Sequence, residues 1–276
     1  MQIKLNDKLV DLSSPIVMGI INVTPDSFFA ESRHSMSSNV LHSVEKIIRE
    51  GGTIVDIGGY SSRPSAESVS AEEEISRLSF ALDVILKEFP DIFISIDTFR
   101  ADVARYAVKN YQVAVVNDIG GGTLDDDMFR TIADLKVAYI LMHMRGTPAT
   151  MQKLTQYDNV TVEVIRFLEQ RLHQLRMLGV NDVIVDPGFG FAKTCEQNYK
   201  LLKELSCFSA LNAPMLVGIS RKSMIYNLLE TDPQHALNGT TAVNMLALLG
   251  GASILRVHDV KEAVETIKIF EQYSSY

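Results

Sequence analysis

The stretch SAEEEISRLSFALDVILKEFPDIFISID, residues 70–97, carries the fold in miniature. It opens with Ser70 three residues ahead of Glu73, the pattern of a capping box at a helix start. Ile75, Leu78, Leu82, Ile85 and Phe89 then recur at helical spacing, which draws one apolar stripe along a polar helix. From Ile92 to Asp97 the pattern changes to an almost continuous apolar run that ends in a carboxylate. A run of that kind suits a parallel strand buried on both faces.

The same alternation extends in both directions. Apolar runs fall at Ile16–Val23, Thr53–Ile57, Val113–Ile119, Ala138–Met144, Val183–Asp186, Met215–Ile219 and Ser253–Val257. Between them lie amphipathic stretches. Val160, Val164, Phe167, Leu172 and Leu175 keep helical spacing up to Gly179, a plausible helix stop, and Val260, Val264 and Ile267 mark a last helix. Eight strands alternating with about as many helices predict a (β/α)8 barrel, a fold that takes about 250 residues. An open, doubly wound sheet shares this alternation, and the count does not exclude it. One domain over residues 1–276 is expected, with Gln2–Leu12 as a strand pair turning at Asn6-Asp7 and forming a lid over the barrel floor.

Composition narrows the class. With 46% hydrophobic and 22% charged residues the chain is an ordinary globular protein, far from the composition of disorder. A net charge of −8 argues against nucleic acid or an anionic membrane surface as a partner. An anionic substrate would therefore have to be held by a few local cations. Two cysteines, Cys195 and Cys207, are too few for a disulfide framework or a cysteine-based zinc site. The opening MQIKLNDKLVDLSSP has no apolar signal core, and Met245–Leu255 falls short of a membrane span. A cytoplasmic enzyme is the expectation.

Position is more telling than residue type. The runs end in one polar group after another: Asn22, Asp56, Asp97, Asn117 with Asp118, Asp186, Ser220 with Arg221-Lys222 following, and Arg256 with His258. In a barrel the carboxyl ends of all strands meet on one face, where active sites sit. A single Asp at a strand end usually caps the next helix; a mixed set of Asp, Asn, Lys, Arg and His at most of the strand ends reads as one site. Two polar loops, Thr24–Ser38 and Gly58–Ser65, are long for βα connections, which usually take about 2–6 residues. They suit a substrate clamp. Ser220-Arg-Lys-Ser223 opens a helix directly after a strand, so its amides and two cations suggest an anion site.

At this point the chain resembles the dihydropteroate synthases. The resemblance rests on GIINVTPDSF (19–28), DIGGYSSRPS (56–65), SIDT (95–98), VVNDI (115–119), LMHMRGTPATMQ (141–152), DPGFGF (186–191), GISRKS (218–223) and LRVHDV (255–260). These blocks stand in the family's order and cover nearly the whole chain. The resemblance implies a pterin site made by Asp56, Asp97, Asn117, Ile119, Met142, Asp186, Gly218 and Lys222. It implies a diphosphate site of Asn22, Arg63, Arg256 and His258, with Asn22 also a Mg2+ ligand. It places 4-aminobenzoate among Phe28, Ser61, Ser62, Arg63, Pro64, Phe191, Lys222 and Ser223, and it names Asp97, Lys222, Arg63 and Asp186 as the catalytic set. A homodimer through late helices is implied as well. Ser62 stands where the family usually has Thr, Ser65 where it has Gly, and Phe29–Arg33 replaces a Ser-Asp-Gly-Gly continuation.

The chemistry is coherent. A pterin edge with two N–H donors matches a carboxylate such as Asp186, and Asn117 can read a mixed edge. Loss of diphosphate leaves a cation spread into the dihydropterin ring, which carboxylates, above all Asp97, would stabilise. Mg2+ and the cations would offset charge on the departing group. A pterin-binding methyltransferase shares the barrel and the acidic residues but has no diphosphate to hold. A non-catalytic pterin-binding paralogue would be expected to lose charged residues that are present here. Barrels host many chemistries, so the decision belongs to the site.

Other features are given structural readings. His143 faces away from Met142 and Met144 and is expected to be buried and hydrogen-bonded. Asp125-Asp-Asp127 is expected to be a solvated helix start rather than a metal cluster. Gly120-Gly-Gly122 lacks the Lys-Ser/Thr of a phosphate loop.

Overall fold

The computed structural model describes residues 1–23, 33–60 and 69–276, with Arg33, His34 and Ser35 described by backbone alone. Two short strands, β1 (Gln2–Leu5) and β2 (Lys8–Asp11), pair antiparallel around Asn6, whose φ of 52° makes the turn. Eight further strands follow: β3 (Ile16–Asn22), β4 (Ile54–Gly58), β5 (Phe93–Asp97), β6 (Val115–Asp118), β7 (Ala138–Met142), β8 (Val183–Asp186), β9 (Leu216–Val217) and β10 (Ile254–Val257). They form one parallel sheet in the order β8-β7-β6-β5-β4-β3-β10-β9. A parallel bridge from Val185 to Met215, with Val185 N–H donating to the Pro214 carbonyl at 2.9 Å, joins the two ends. The sheet is therefore a closed barrel, and the open-sheet alternative falls.

The helices alternate with the strands as the periodicity requires: α1 (Arg33–Arg49), α2 (Ala71–Glu88), α3 (Ala101–Tyr111), α4 (Met128–Leu135), α5 (Val160–Met177), α6 (Cys195–Lys203), α7 (Ser223–Tyr226), α8 (Leu237–Leu249) and α9 (Val260–Ser274). Their ends are chemically specified. Ser70 Oγ accepts the Glu73 amide at 3.2 Å and starts α2. Only half of the anticipated capping box forms, because the Glu73 carboxylate turns to Arg77 Nη2 instead. Asn159 Oδ1 caps α5, and Thr194 with Gln197 makes a complete, reciprocal box at α6.

Alternation along each strand sorts the side chains into two populations. Val17, Ile21, Val55, Ile57, Ile94, Ile96, Val116, Leu141, Val185 and Leu255 face outward and pack under the helices. Met18, Ile54, Val115, Ala138, Ile140, Ile184, Leu216 and Ile254 fill the lower barrel interior, and Ile3, Leu5 and Leu12 of the amino-terminal hairpin pack onto them. The hairpin thus plugs the floor, as the sequence led us to expect. Lys4 N–H donates to Asp182 Oδ1 at 2.8 Å and pins it there. No helix among the described residues is long and apolar enough to cross a membrane.

Candidate active site at the carboxyl end of the barrel

The inward-facing residues one step above that apolar floor are Asp56, Ser95, Asn117, Met142, Asp186 and Arg256, with Asp97 two residues beyond Ser95. The strand-end carboxylates are thus the continuation of the interior face, with Asp56 level with Ser95 and Asp97 two residues further along. Asp97 stands opposite Gly58 and Asn117, and Asp186 stands opposite Met142. The structure brings Asp56, Asp97, Asn117, Asp186 and Arg256 together.

Arg256 organises the group. Its Nε donates to Asp56 Oδ2 at 2.7 Å and its Nη2 to Asp97 Oδ2 at 2.7 Å, so one guanidinium spans two strands. Asn117 Nδ2 adds a third contact to Asp56 Oδ2 at 3.1 Å. Asp56 Oδ1 is buried and accepts no hydrogen bond among the described residues. Burial pushes the Asp97 carboxyl upward from the ordinary range, and the Arg256 charge works against that shift. Burial also opposes the charge on Arg256, yet Asp56 and Asp97 hold its proton more firmly than usual. The reading of the sequence placed Arg256 with the anion-holding set and did not see this pairing.

Asp186 is buried, with Oδ1 accepting the Gly188 amide at 2.7 Å. Burial raises its carboxyl, and Lys222 is the chief counterweight. Lys222 leads into α7; its Nζ donates to the Phe189 carbonyl at 2.5 Å and lies 4.6 Å from the centre of the Phe191 ring. Burial pulls this ammonium down to about 8, with Asp186 restoring part of its basicity. Ile119, Met142, Met144 and Ala192 form an apolar patch backed by Phe99 and Phe191. Carboxylates and a lysine beside an apolar wall suit a flat, polar-edged heterocycle. Gly218 keeps space beside the Arg256 stem, where an added Cβ would sit 3.8 Å from Arg256 Cβ. Asn22 and His258 are exposed at the rim, and Ser223 is exposed at the start of α7. Phe28, Ser61, Ser62, Arg63 and Pro64 lie outside the described residues.

Three strand-end polar groups do not join the pocket. Asp118 follows Asn117 and so points to the opposite face; it accepts from the Gly120 and Gly122 amides at 2.7 Å each and from the Tyr139 hydroxyl at 2.6 Å. Ser220 Oγ receives the His258 amide at 3.3 Å. Arg221 turns away from the mouth into a bidentate pair with Asp259 at 2.8 Å and also binds the Pro233 and Gln234 carbonyls. The anticipated two-cation anion site at 220–223 is thus reduced to Lys222, and α7 is a single short turn. Asp125 likewise departs from a purely solvated role: its Oδ2 caps α3 through the Ala101 amide at 2.8 Å.

Other residues shape the site without having stood out in the sequence. Arg77 Nη1 donates to the Gly59 carbonyl at 3.1 Å, and Arg100 Nη2 to the Val69 carbonyl at 2.6 Å. Glu74 is buried and pairs with Arg100, whose guanidinium lies 4.8 Å from the Phe99 ring centre. The described ends of the second polar loop are therefore clamped from α2 and α3. Lys193 is buried beside His143, which bears out the structural reading of that histidine.

A family model of pterin binding enzymes matches residues 18–258. The chain is 40% identical to the dihydropteroate synthase of Escherichia coli K12 over 264 residues, which covers 95% of this chain and 93% of that one. It belongs to this family. The fold agrees throughout. The structure of the Yersinia pestis dihydropteroate synthase in complex with a sulfonamide drug superposes with a TM-score of 0.92 at 37% identity, covering all of both chains. The Xanthomonas albilineans dihydropteroate synthase with 4-aminobenzoic acid gives 0.90 at 33% identity, covering 100% of this chain and 98% of that one. The dihydropteroate synthases therefore supply the frame for the cluster around Arg256.

Proposed function

We propose that this chain joins (7,8-dihydropterin-6-yl)methyl diphosphate to 4-aminobenzoate, giving 7,8-dihydropteroate and diphosphate for folate biosynthesis. The observation that carries the reading is the convergence of Asp56, Asp97, Asn117 and Asp186 with Lys222 and Arg256 at one barrel mouth. The relatives' names and ligands point the same way.

Each residue has a chemical task. Asp186 offers carboxylate oxygens to the amino and ring N–H donors of the pterin, and Asn117 reads a mixed donor and acceptor edge. Lys222 donates to the ring carbonyl and N5 region. The methylene–oxygen bond breaks and its electron pair leaves with the diphosphate. Asp97 stabilises the positive charge left in the ring, a contribution that grows only as the bond breaks. The neutral aryl amine attacks the methylene, the new carbon–nitrogen bond forms, and the amine proton passes to solvent. No strong base is needed for this nucleophile. Arg256, His258 and Arg63 would hold the diphosphate, and Phe28, Ser61, Ser62, Pro64, Phe191 and Ser223 the 4-aminobenzoate.

Mg2+ would be held by Asn22. Among the described residues no cluster of three or more acidic, histidine or cysteine side chains could cage a metal, whereas Asn22 offers one amide oxygen at the exposed rim. That donor set fits an ion that keeps most of its waters and meets the protein through few ligands and substrate phosphates. When bound, Mg2+ would offset charge on the diphosphate. The Leu246, Leu249, Ile269 and Tyr273 side chains, exposed on α8 and α9, support a homodimer. We place the enzyme in the cytoplasm, with no nucleic-acid or membrane partner.

The test is diphosphate release by the purified protein given the dihydropterin diphosphate, 4-aminobenzoate and Mg2+, each omitted in turn. Release that depends on all three, and competition by a sulfonamide against 4-aminobenzoate, are expected. No release with the complete mixture would overturn the reading. Loss of turnover on chelation, restored by Mg2+, is expected for the metal.

A further inference from the structure

We propose that Lys193 is a positioning residue whose buried Nζ fixes the turn from Pro187 to Ala192, and through it the placement of Asp186 and Lys222 at the barrel mouth. The proposal rests on the pterin reading of that mouth. Lys193 is 4% exposed, and its Nζ has three hydrogen-bond contacts: the Gly188 carbonyl at 2.8 Å, the Phe191 carbonyl at 3.0 Å and His143 Nδ1 at 3.0 Å. Burial pulls Lys193 well below the usual lysine range, and Asp186 works to restore its charge; in the charged form its three donors match this set of three. With Lys193 charged, His143 presents a lone pair at Nδ1 and carries its proton on Nε2. Burial and the neighbouring Lys193 charge, which push His143 well below the usual histidine range, keep the ring neutral.

The two carbonyls that Lys193 grips bracket the one that Lys222 uses. Gly188 O and Phe191 O go to Lys193, and Phe189 O goes to Lys222. The amides of the same turn are also committed: Gly188 N–H to Asp186 Oδ1, and Gly190 N–H to Asn198 Oδ1 at 2.7 Å. The turn presents to the site a carbonyl and an amide whose directions depend on how the flanking carbonyls are held. The clamp is anchored on both sides. His143 lies on the outer face of the barrel against the edge of the Phe167 ring, with centroids 4.9 Å apart, and its amide donates to the Asp186 carbonyl at 3.0 Å. Lys193 leads directly into the capped start of α6. Burial raises the Asp186 carboxyl, and Lys193 behind it works against that shift less than Lys222 does.

The proposal separates loss of placement from loss of stability. The probe is 6-hydroxymethylpterin, with affinity measured by calorimetry on folded protein and turnover followed alongside. Lys193→Met removes the three bonds at similar volume and is expected to weaken pterin affinity at least about 10-fold, the loss expected for a hydrogen bond to a charged group. His143→Asn keeps an acceptor at the place of Nδ1 and is expected to bind within about 2-fold of the unmodified chain. His143→Leu, which lacks that acceptor, should fall toward the lysine variant. A folded Lys193→Met with unmodified pterin affinity would overturn the proposal while leaving the pterin reading intact. Should Lys193→Met not fold, the histidine pair decides: equal pterin affinity for the Asn and Leu variants would overturn the proposal. An unmodified chain that fails to bind the pterin would overturn both.

Discussion

Lys222 shows how one residue can tie binding to pH. It donates charge-assisted hydrogen bonds only while protonated, and burial brings its proton loss down to about pH 8. Pterin affinity should therefore be full near neutrality and fall as pH rises through about 8. Stability responds in the opposite sense. An unfolded lysine titrates near pH 10.4, so the unfolded chain binds this proton more tightly, and the group favours the fold more as pH climbs from about 8 to about 10. Calorimetric pterin titrations and urea melts over that range check both signs. Lys222→Met should lower pterin affinity about 10- to 100-fold and remove the alkaline decline. Arg256 makes a different case, because its removal strands two acids. Arg256→Met leaves Asp56 and Asp97 without their cation and should cost about 3–5 kcal/mol in urea unfolding. The acids themselves could be read from strand-end position. Their shared guanidinium could not, since the partners lie 200 and 159 residues away and only the closed sheet makes them neighbours.

At the scale of single elements, strand parity explains both what could be read and what was misread. Asn117 and Asp118 end the same strand, and both seemed to face the site. Alternation sends one inward and the other out to Tyr139 and the glycine turn. Arg221 and Lys222 are likewise adjacent, but Arg221 has a φ of 55° and swings to Asp259. The lysine after Gly-Phe-Gly-Phe-Ala gave no sign of burial, because a loop lysine normally reaches solvent. The apolar runs, by contrast, located all eight strands to within a few residues, since burial on both faces leaves an unmistakable pattern. The turn after β8 allows a sharp test. Gly188 has a φ of +71°, and a Cβ there would lie 2.0 Å from the His143 carbonyl oxygen. Gly188→Ala should therefore destabilise the protein by at least about 1–3 kcal/mol and lower turnover together with it, as unfolding curves and a diphosphate-release assay would show.

Taken as a whole, the molecule keeps its stability and its chemistry at opposite poles. Leu5, at the floor, is fully buried against the lower barrel residues and touches nothing at the mouth. Leu5→Ala should cost about 2–5 kcal/mol in unfolding free energy while KM for both substrates stays unchanged. That outcome contrasts with the Gly188 variant, in which stability and turnover fall together. On the outer surface Ile269 is 62% exposed on α9, near Tyr273. Sedimentation should show a dimer for the unmodified chain and a monomer for Ile269→Glu, with a smaller effect for a charge placed on an outward position of α3.

The amino-terminal hairpin also governs traffic. With the lower barrel filled by its own side chains and Ile3, Leu5 and Leu12 packed beneath them, the site opens only at the mouth. Whatever occupies the bottom must arrive before whatever occupies the rim. On the proposed reading the heterocycle is seated deepest and enters first, and the amine then lands above it. On the proposed chemistry both products must return through that same opening, so a stoppered barrel imposes a queue.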